Sequence, residues 1–257
     1  MNRIDTNVFY GQWPFRKCGE EDFSNIQMRC AKNGIDGMLV SSVHSIFYED
    51  PFEAEEDLHK AICGRPGVYH VFSVNPFSSG WEDDIRVAKE QFGIKALKIF
   101  PGYHGYSLQG LEAARICEVA GKYDLPIILA MSVEDERVAY MLYQKPIPLD
   151  KLGVFLGTYR DNTIVLSNIS FGEVMGLHPN IVSRNNVFVD MAGFKFISFP
   201  MEKLLKVYEK DMFLFGSQCP LYIQKGILNE VICENLPDTV KQDILCNNAI
   251  RVFGLEG

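Results

Sequence analysis

Eight short apolar runs recur along the chain, each followed by a longer stretch with helical spacing of its apolar residues. The runs are Ile4–Tyr10, Gly37–Ser41, Tyr69–Val74, Lys95–Phe100, Pro126–Met131, Ile164–Asn168, Val187–Asp190 and Met212–Phe215. Between them, Phe23, Ile26 and Cys30 fall at i, i+3 and i+7, and Asn33-Gly34 offers a helix stop. Trp81, Ile85, Ala88 and Phe92 repeat the pattern and end at Gly93, and Met201, Leu204, Leu205 and Tyr208 form another apolar face. The segment 134–159 reads as two short helices broken at Pro146 and Pro148. Eight strand–helix units in 257 residues predict a single-domain α/β fold over residues 1–257, a (β/α)8 TIM barrel. An open doubly wound sheet uses the same alternation, but no GxGxxG follows the first strand and no Pro/Gly/Ser linker divides the chain.

Composition narrows the partners. With 47% hydrophobic and 23% charged residues the chain has enough apolar material for a sizeable core. A net charge of −8 argues against nucleic acid and an anionic membrane, since both reward a basic surface. It leaves room for a small-molecule, anionic substrate, which responds to local charge, and for a homo-oligomer. The start Met1-Asn2-Arg3-Ile4-Asp5 lacks an apolar signal region, and the longest apolar run, Leu125 to Met131, is too short to span a bilayer. Seven scattered cysteines without a CxxC pair fit reduced thiols in a cytoplasmic protein.

In a barrel, active sites sit at the C-terminal ends of the strands, and every second strand residue faces the interior. The residues to inspect are therefore Asp5, Asn7 and Phe9 on the first strand, His44 in the loop after the second, and Lys98 on the fourth with His104 beyond it. Ala130, Asn168, Asp190 and Gln218 complete the set.

Several stretches resemble one family. RIDTNVFYGQWPFR looks like the first strand and loop of amidohydrolase-related proteins, the TIM-barrel metal-dependent hydrolases and decarboxylases. ALKIFPGYHGYSL resembles their fourth strand, PIILAMSVEDER their fifth and ILCNNAIRVFGL their closing helix. LFGSQCP resembles the eighth strand, where the family usually reads Gly-Ser/Thr-Asp-x-Pro. The pieces run in order from residue 3 to residue 255.

The resemblance implies zinc or another divalent metal, held by His-x-His on the first strand, one His each on the fifth and sixth, and an Asp after the eighth. Residue by residue, these positions carry Asn7, Phe9, Ala130, Asn168 and Gln218. Phe and Ala offer no lone pair, and a neutral amide oxygen is a poor match for zinc. The expectation is a divergent member with no metal or other cofactor. Gln218 can exchange hydrogen bonds there, but it cannot act as a base near neutral pH.

The survivors at the mouth define the expected chemistry. Lys98, His104 and Asp190 are the candidate catalytic residues. Lys98 suits a substrate carboxylate, or a nucleophile with a lowered pKa, or else a structural ion pair with Asp5 or Asp190. Arg16, Tyr103, Tyr106, Asn7, Asn168 and Gln218 are the candidate substrate-binding residues. Arg16 suits a two-pronged grip on a carboxylate, with a surface salt bridge as its plain alternative. Asp190 otherwise reads as a turn cap or a partner of Lys98. Asp135 to Arg137 read as a helix start, Cys219 as a buried apolar residue, and His59, His70 and His178 as helix or surface residues. The implied activity is metal-independent hydrolysis of a small carboxylate-bearing ester, lactone or amide. The alternatives are a catalytically inactive homologue that binds a small molecule or a partner, and a relocated metal site at His44, His104 and Asp190.

Overall fold

The structure, a computed structural model, describes residues 2–18, 22–134, 143–177, 186–194 and 197–256. Its strands are β1 (Ile4–Tyr10), β2 (Gly37–Ser42), β3 (Val68–Val74), β4 (Ala96–Ile99), β5 (Ile127–Ala130), β6 (Ile164–Ser167), β7 (Val187–Asp190) and β8 (Phe213–Leu214). They pair in chain order as one eight-stranded parallel sheet. The seam closes where Thr6 N donates to Phe215 O at 2.9 Å and Phe9 N donates to Cys219 O at 2.7 Å. This is the expected single-domain (β/α)8 barrel. Main-chain closure removes the free sheet edges that would otherwise stay unpaired.

Helices α1 (Phe23–Lys32), α2 (Pro51–Ile62), α3 (Trp81–Gln91), α4 (Pro101–His104), α5 (Leu111–Lys122), α6 (Leu149–Thr158), α7 (Phe171–Gly176), α8 (Pro200–Leu204) and α9 (Gln224–Ile232) surround the sheet. α1 starts where the Asp22 side chain accepts from Ser24 N, and it stops at Asn33, with Gly34 at a φ of 73°. Of the two helices expected within 134–159, α6 is the one among the described residues, and residues 143–148 take no regular structure. The remainder of that expectation, including Asp135 to Arg137, lies outside the described residues, as does His178.

The interior is layered. Ile4, Leu39, Val71, Ala96, Ile128, Val165, Phe188 and Leu214, one from each strand, form an apolar floor. The chain's last helices, α10 (Asp238–Gln242) and α11 (Asn248–Phe253), frame a π-turn, and Cys246, Ala249, Phe253 and Leu255 press against that floor from below. Above it lies a polar layer, and above that an apolar roof of Phe9, Trp13, Val43, Ile46, Phe100, Ala130, Val133 and Leu221. The larger core sits outside the sheet, between strands and helices. There His70 corrects its expected placement: it is a buried β3 residue whose Nε2 lies 2.6 Å from Glu55 Oε2. His59 lies on α2 as expected, stacked on Phe92.

Candidate active site at the C-terminal end of the barrel

β1 carries a bulge that decides which residues look inward. Asp5 pairs with Met38 and Val8 with Val40, so three steps on β1 match two on β2 and Thr6 is the extra residue. The slip keeps Ile4 on the floor and turns Asn7 and Phe9 inward, but it rotates Asp5 out. Alternation alone had placed Asp5 inside. Its carboxylate instead accepts from Asn7 N at 3.1 Å, Ser217 N at 2.9 Å, the Ser217 hydroxyl and Gln224 Nε2 at 2.7 Å. Burial pushes its pKa up to about 6, against the lowering effect of those hydrogen bonds.

The polar layer centres on Lys98, which is 2% exposed. Its Nζ donates to Asn7 Oδ1 at 2.8 Å and to Ser41 Oγ at 3.3 Å, and it stands 3.9 Å from the centre of the Phe9 ring. Asn7 Nδ2 in turn donates to Asp190 Oδ2 at 3.0 Å and to Ser167 Oγ at 2.9 Å. Lys98 thus meets Asn7 rather than either carboxylate, and the amide hands the charge on to Asp190. Asp190 Oδ1 accepts from Asn168 N and Ala192 N, which fixes the turn after β7. Burial is the main cause that lowers the Lys98 pKa to about 7, opposed by the charges of Asp190 and Asp5. Burial likewise raises the pKa of Asp190. Ser73, in register with Lys98 on β3, has a buried Oγ without a hydrogen-bond partner among the described residues.

Gly216 makes this packing possible. A Cβ there would stand 2.8 Å from Asp190 Cβ and 3.0 Å from Thr6 Oγ1, below ordinary contact distance.

Asn168 and Gln218 clamp the mouth. Both adopt the left-handed region, at φ of 54° and 60°, which non-glycine residues seldom occupy. Asn168 Nδ2 donates to Ser132 O at 2.9 Å and Ser132 Oγ at 2.7 Å, and Gln218 Nε2 donates to Val133 O. Gln218, at the eighth-strand position that the resemblance gives to a carboxylate, therefore ties the β8 loop to the β5 loop. Above them Arg16 Nε donates to Glu134 Oε2 at 3.0 Å, Nη2 to Glu134 Oε1 at 3.4 Å, and Nη2 also to Leu221 O.

The remaining candidates scatter. His104 Nε2 lies 3.2 Å from Ile46 O with its ring against Phe100, and burial lowers its pKa. Tyr103 joins the underside of the roof, whereas Tyr106 sits in the outer core against Phe77. The expected pairing of Tyr103 and Tyr106 in one pocket is therefore corrected, because α4 turns the two rings to opposite sides of the barrel wall. His44 accepts from Gln12 N at 3.1 Å and stacks on Tyr48. His44, His104 and Asp190 have separate surroundings, and among the described residues no group of three His, Cys, Asp or Glu side chains is placed to hold a metal ion. Cys219 is buried, as expected, beside the Cys30 thiol. Sequence reasoning missed Ser41, Ser73, Ser167, Ser217 and Glu134. Their common signal is a small or acidic residue closing an apolar run. No helix among the described residues is long and apolar enough to cross a membrane.

Comparison with known proteins places this geometry among relatives. A family model described as amidohydrolase matches residues 27–255. A 5-carboxyvanillate decarboxylase from Sphingomonas paucimobilis superposes with a TM-score of 0.77 at 12% identity, covering 99% of each chain. A 2,6-dihydroxybenzoate decarboxylase from Rhizobium gives 0.71 at 13%, covering 100% of this chain and 99% of the other. A protein from Acinetobacter baumannii described as a probable 2-pyrone-4,6-dicarboxylic acid hydrolase gives 0.72 at 11%, covering 99% of this chain and 100% of the other. No curated protein matches the chain.

Proposed function

The chain belongs to the amidohydrolase family, and we propose that it is a member that hydrolyses a small carboxylate-bearing ester, lactone or amide without a divalent metal. The observation that carries this reading is the buried Lys98 amine of the polar layer, held by Asn7 and Ser41, where burial lowers its pKa to about 7. The donor set fits a metal poorly. Asn7 Oδ1 already accepts from Lys98 Nζ, Phe9 and Ala130 have no lone pair, and Asn168 and Gln218, whose amide nitrogens donate to the β5 loop, offer only neutral amide oxygens.

The chemistry this layer supports is general base catalysis. A neutral Lys98 amine takes a proton from water, the hydroxide attacks the carbonyl carbon, and the resulting ammonium returns the proton to the leaving oxygen or nitrogen. Asn7, held by Asp190 and Ser167, orients the amine. The Ser41 hydroxyl accepts from Lys98 and keeps its own proton to donate to the oxyanion. Substrate entry requires the roof over Lys98 to part. That roof favours a second reading, a small-molecule or partner binder without turnover.

The test is a panel of carboxylate-bearing activated esters and lactones, assayed with wild-type protein and Lys98→Met. The expected outcome is a kcat/KM that rises through pH 7 and falls at least about 100-fold in the variant. Activity unchanged in Lys98→Met overturns the mechanism. Activity lost on chelation and restored by one equivalent of zinc or manganese overturns the metal-free reading. Hydrolysis of none of the panel, with ligand binding retained, selects the binder.

A further inference from the structure

We propose that Arg16 is the point at which this site recognises a carboxylate, and that Glu134 occupies it in the closed state as an internal stand-in for the ligand. This rests on the reading that the ligand carries a carboxylate. Arg16 comes from the loop after β1 and Glu134 from the loop after β5, and they meet over the mouth through two guanidinium nitrogens and two carboxylate oxygens. That is the geometry by which arginine grips a free carboxylate. An ordinary surface pair leaves both partners in water, but here the Glu134 side chain is only 7% exposed. A carboxylate is drawn into such a place only where a partner offsets its lost hydration.

A second observation points to an external ligand. Beneath the pair, the buried Tyr103 oxygen lies near the backbone N–H groups of Glu134 and Val133, while its own O–H proton has no acceptor among the described residues. Burial first, then the Glu134 charge, push the Tyr103 pKa up, so the phenol keeps its proton. An orphaned buried O–H carries a free-energy cost. The Glu134 carboxylate, tethered by its backbone, accepts from Arg16 but not from the Tyr103 hydroxyl. A free carboxylate of the same charge is not tethered, and it accepts from both. Arg16 also donates to Leu221 O. Exchange of Glu134 for a ligand therefore removes the Arg16–Glu134 link while leaving Arg16 fixed to Leu221 O.

The experiment is titration calorimetry with benzoate and malonate on wild type, Glu134→Gln, Arg16→Met and Tyr103→Phe. Removing the internal competitor removes a population penalty, so Glu134→Gln is expected to bind at least about tenfold more tightly than wild type. Arg16→Met is expected to bind neither probe. Tyr103→Phe in the Glu134→Gln background is expected to weaken binding about fivefold. Glu134→Ala serves as a second release variant should Glu134→Gln unfold. Binding by the release variants that is absent, or no tighter than in wild type, overturns the proposal. If the release variants bind as expected while Lys98→Met retains hydrolysis, the hydrolase mechanism fails and this inference stands. The reverse pattern sinks this inference alone.

Discussion

Two charged groups lie buried within one barrel, and their surroundings differ in kind. Asp5 sits at the β8–β1 seam with four donors on its two oxygens, two from backbone and two from side chains. Lys98 has three protons and two acceptors, an aromatic ring over its face, and an unpartnered serine in the next strand. Saturation of hydrogen bonds fixes a group in one place. An incomplete set leaves a group whose best partner is still to come. The contrast separates a clasp that holds the barrel shut from an amine with a proton left unpaired, although both groups are fully buried.

The sharpest way to break this comparison is Asp5→Ala. It strands four donors at the seam, and the expected loss is about 3–5 kcal/mol in denaturant unfolding. A loss below about 1 kcal/mol would place Asp5 outside the barrel's closure. Lys98→Met comes next. A buried charge exchanged for an apolar chain of similar length is often near neutral in stability, so the expected change is within about 1 kcal/mol at pH 6. A collapse as large as that of Asp5→Ala would make Lys98 a second clasp and erase the distinction.

A further difference between the two groups is in pH. The folded-state pKa of Lys98, about 7, lies below the ordinary lysine value of 10.5, so above pH 7 the unfolded chain holds more protons there. Wild type is therefore expected to gain stability relative to Lys98→Met as pH rises from about 7 to 10. Asp5 has the opposite slope. Its folded pKa, about 6, lies above the ordinary aspartate value of 3.8, so its contribution falls as pH rises through that window. Asp5→Asn removes this slope. Unfolding curves at several pH values, with the two variants compared against wild type, measure both.

The fold was legible because strand and helix periods differ and each run keeps one of them. β1 and β7 match their expected bounds, Ile4–Tyr10 and Val187–Asp190, and β7 ends where the Asp190 side chain is spent on the following turn. β8 is shorter than its apolar run because Phe215 leaves the strand, giving its N–H to Ile244 O and its carbonyl to Thr6. The site was legible where a residue type is rare in its setting. A lysine inside an apolar strand led to the centre of the polar layer, and the family spacing led to Asn7, Asn168 and Gln218. What stayed hidden depended on contacts across the barrel. Asp5 looks inward by simple alternation, and only the extra residue Thr6 turns it out. Glu134 reads as a loop residue until Arg16, from another strand's loop, arrives beside it. Tyr103 and Tyr106 share a motif, but the short α4 between Pro101 and His104 separates their rings.

The floor of the barrel carries a consequence for how the protein is made. Ile4, near the first residue, and Leu255, near the last, belong to the same apolar cluster, and Phe253 and Ala249 cover it from beneath. During synthesis, all eight strands emerge and wait with that floor open to water, because the segment that seals it follows them in the chain. The hydrophobic gain of closing the interior thus arrives in one late step. A ribosome stalled before residue 245 holds a chain with its cork missing, a natural substrate for chaperones that bind exposed apolar surface.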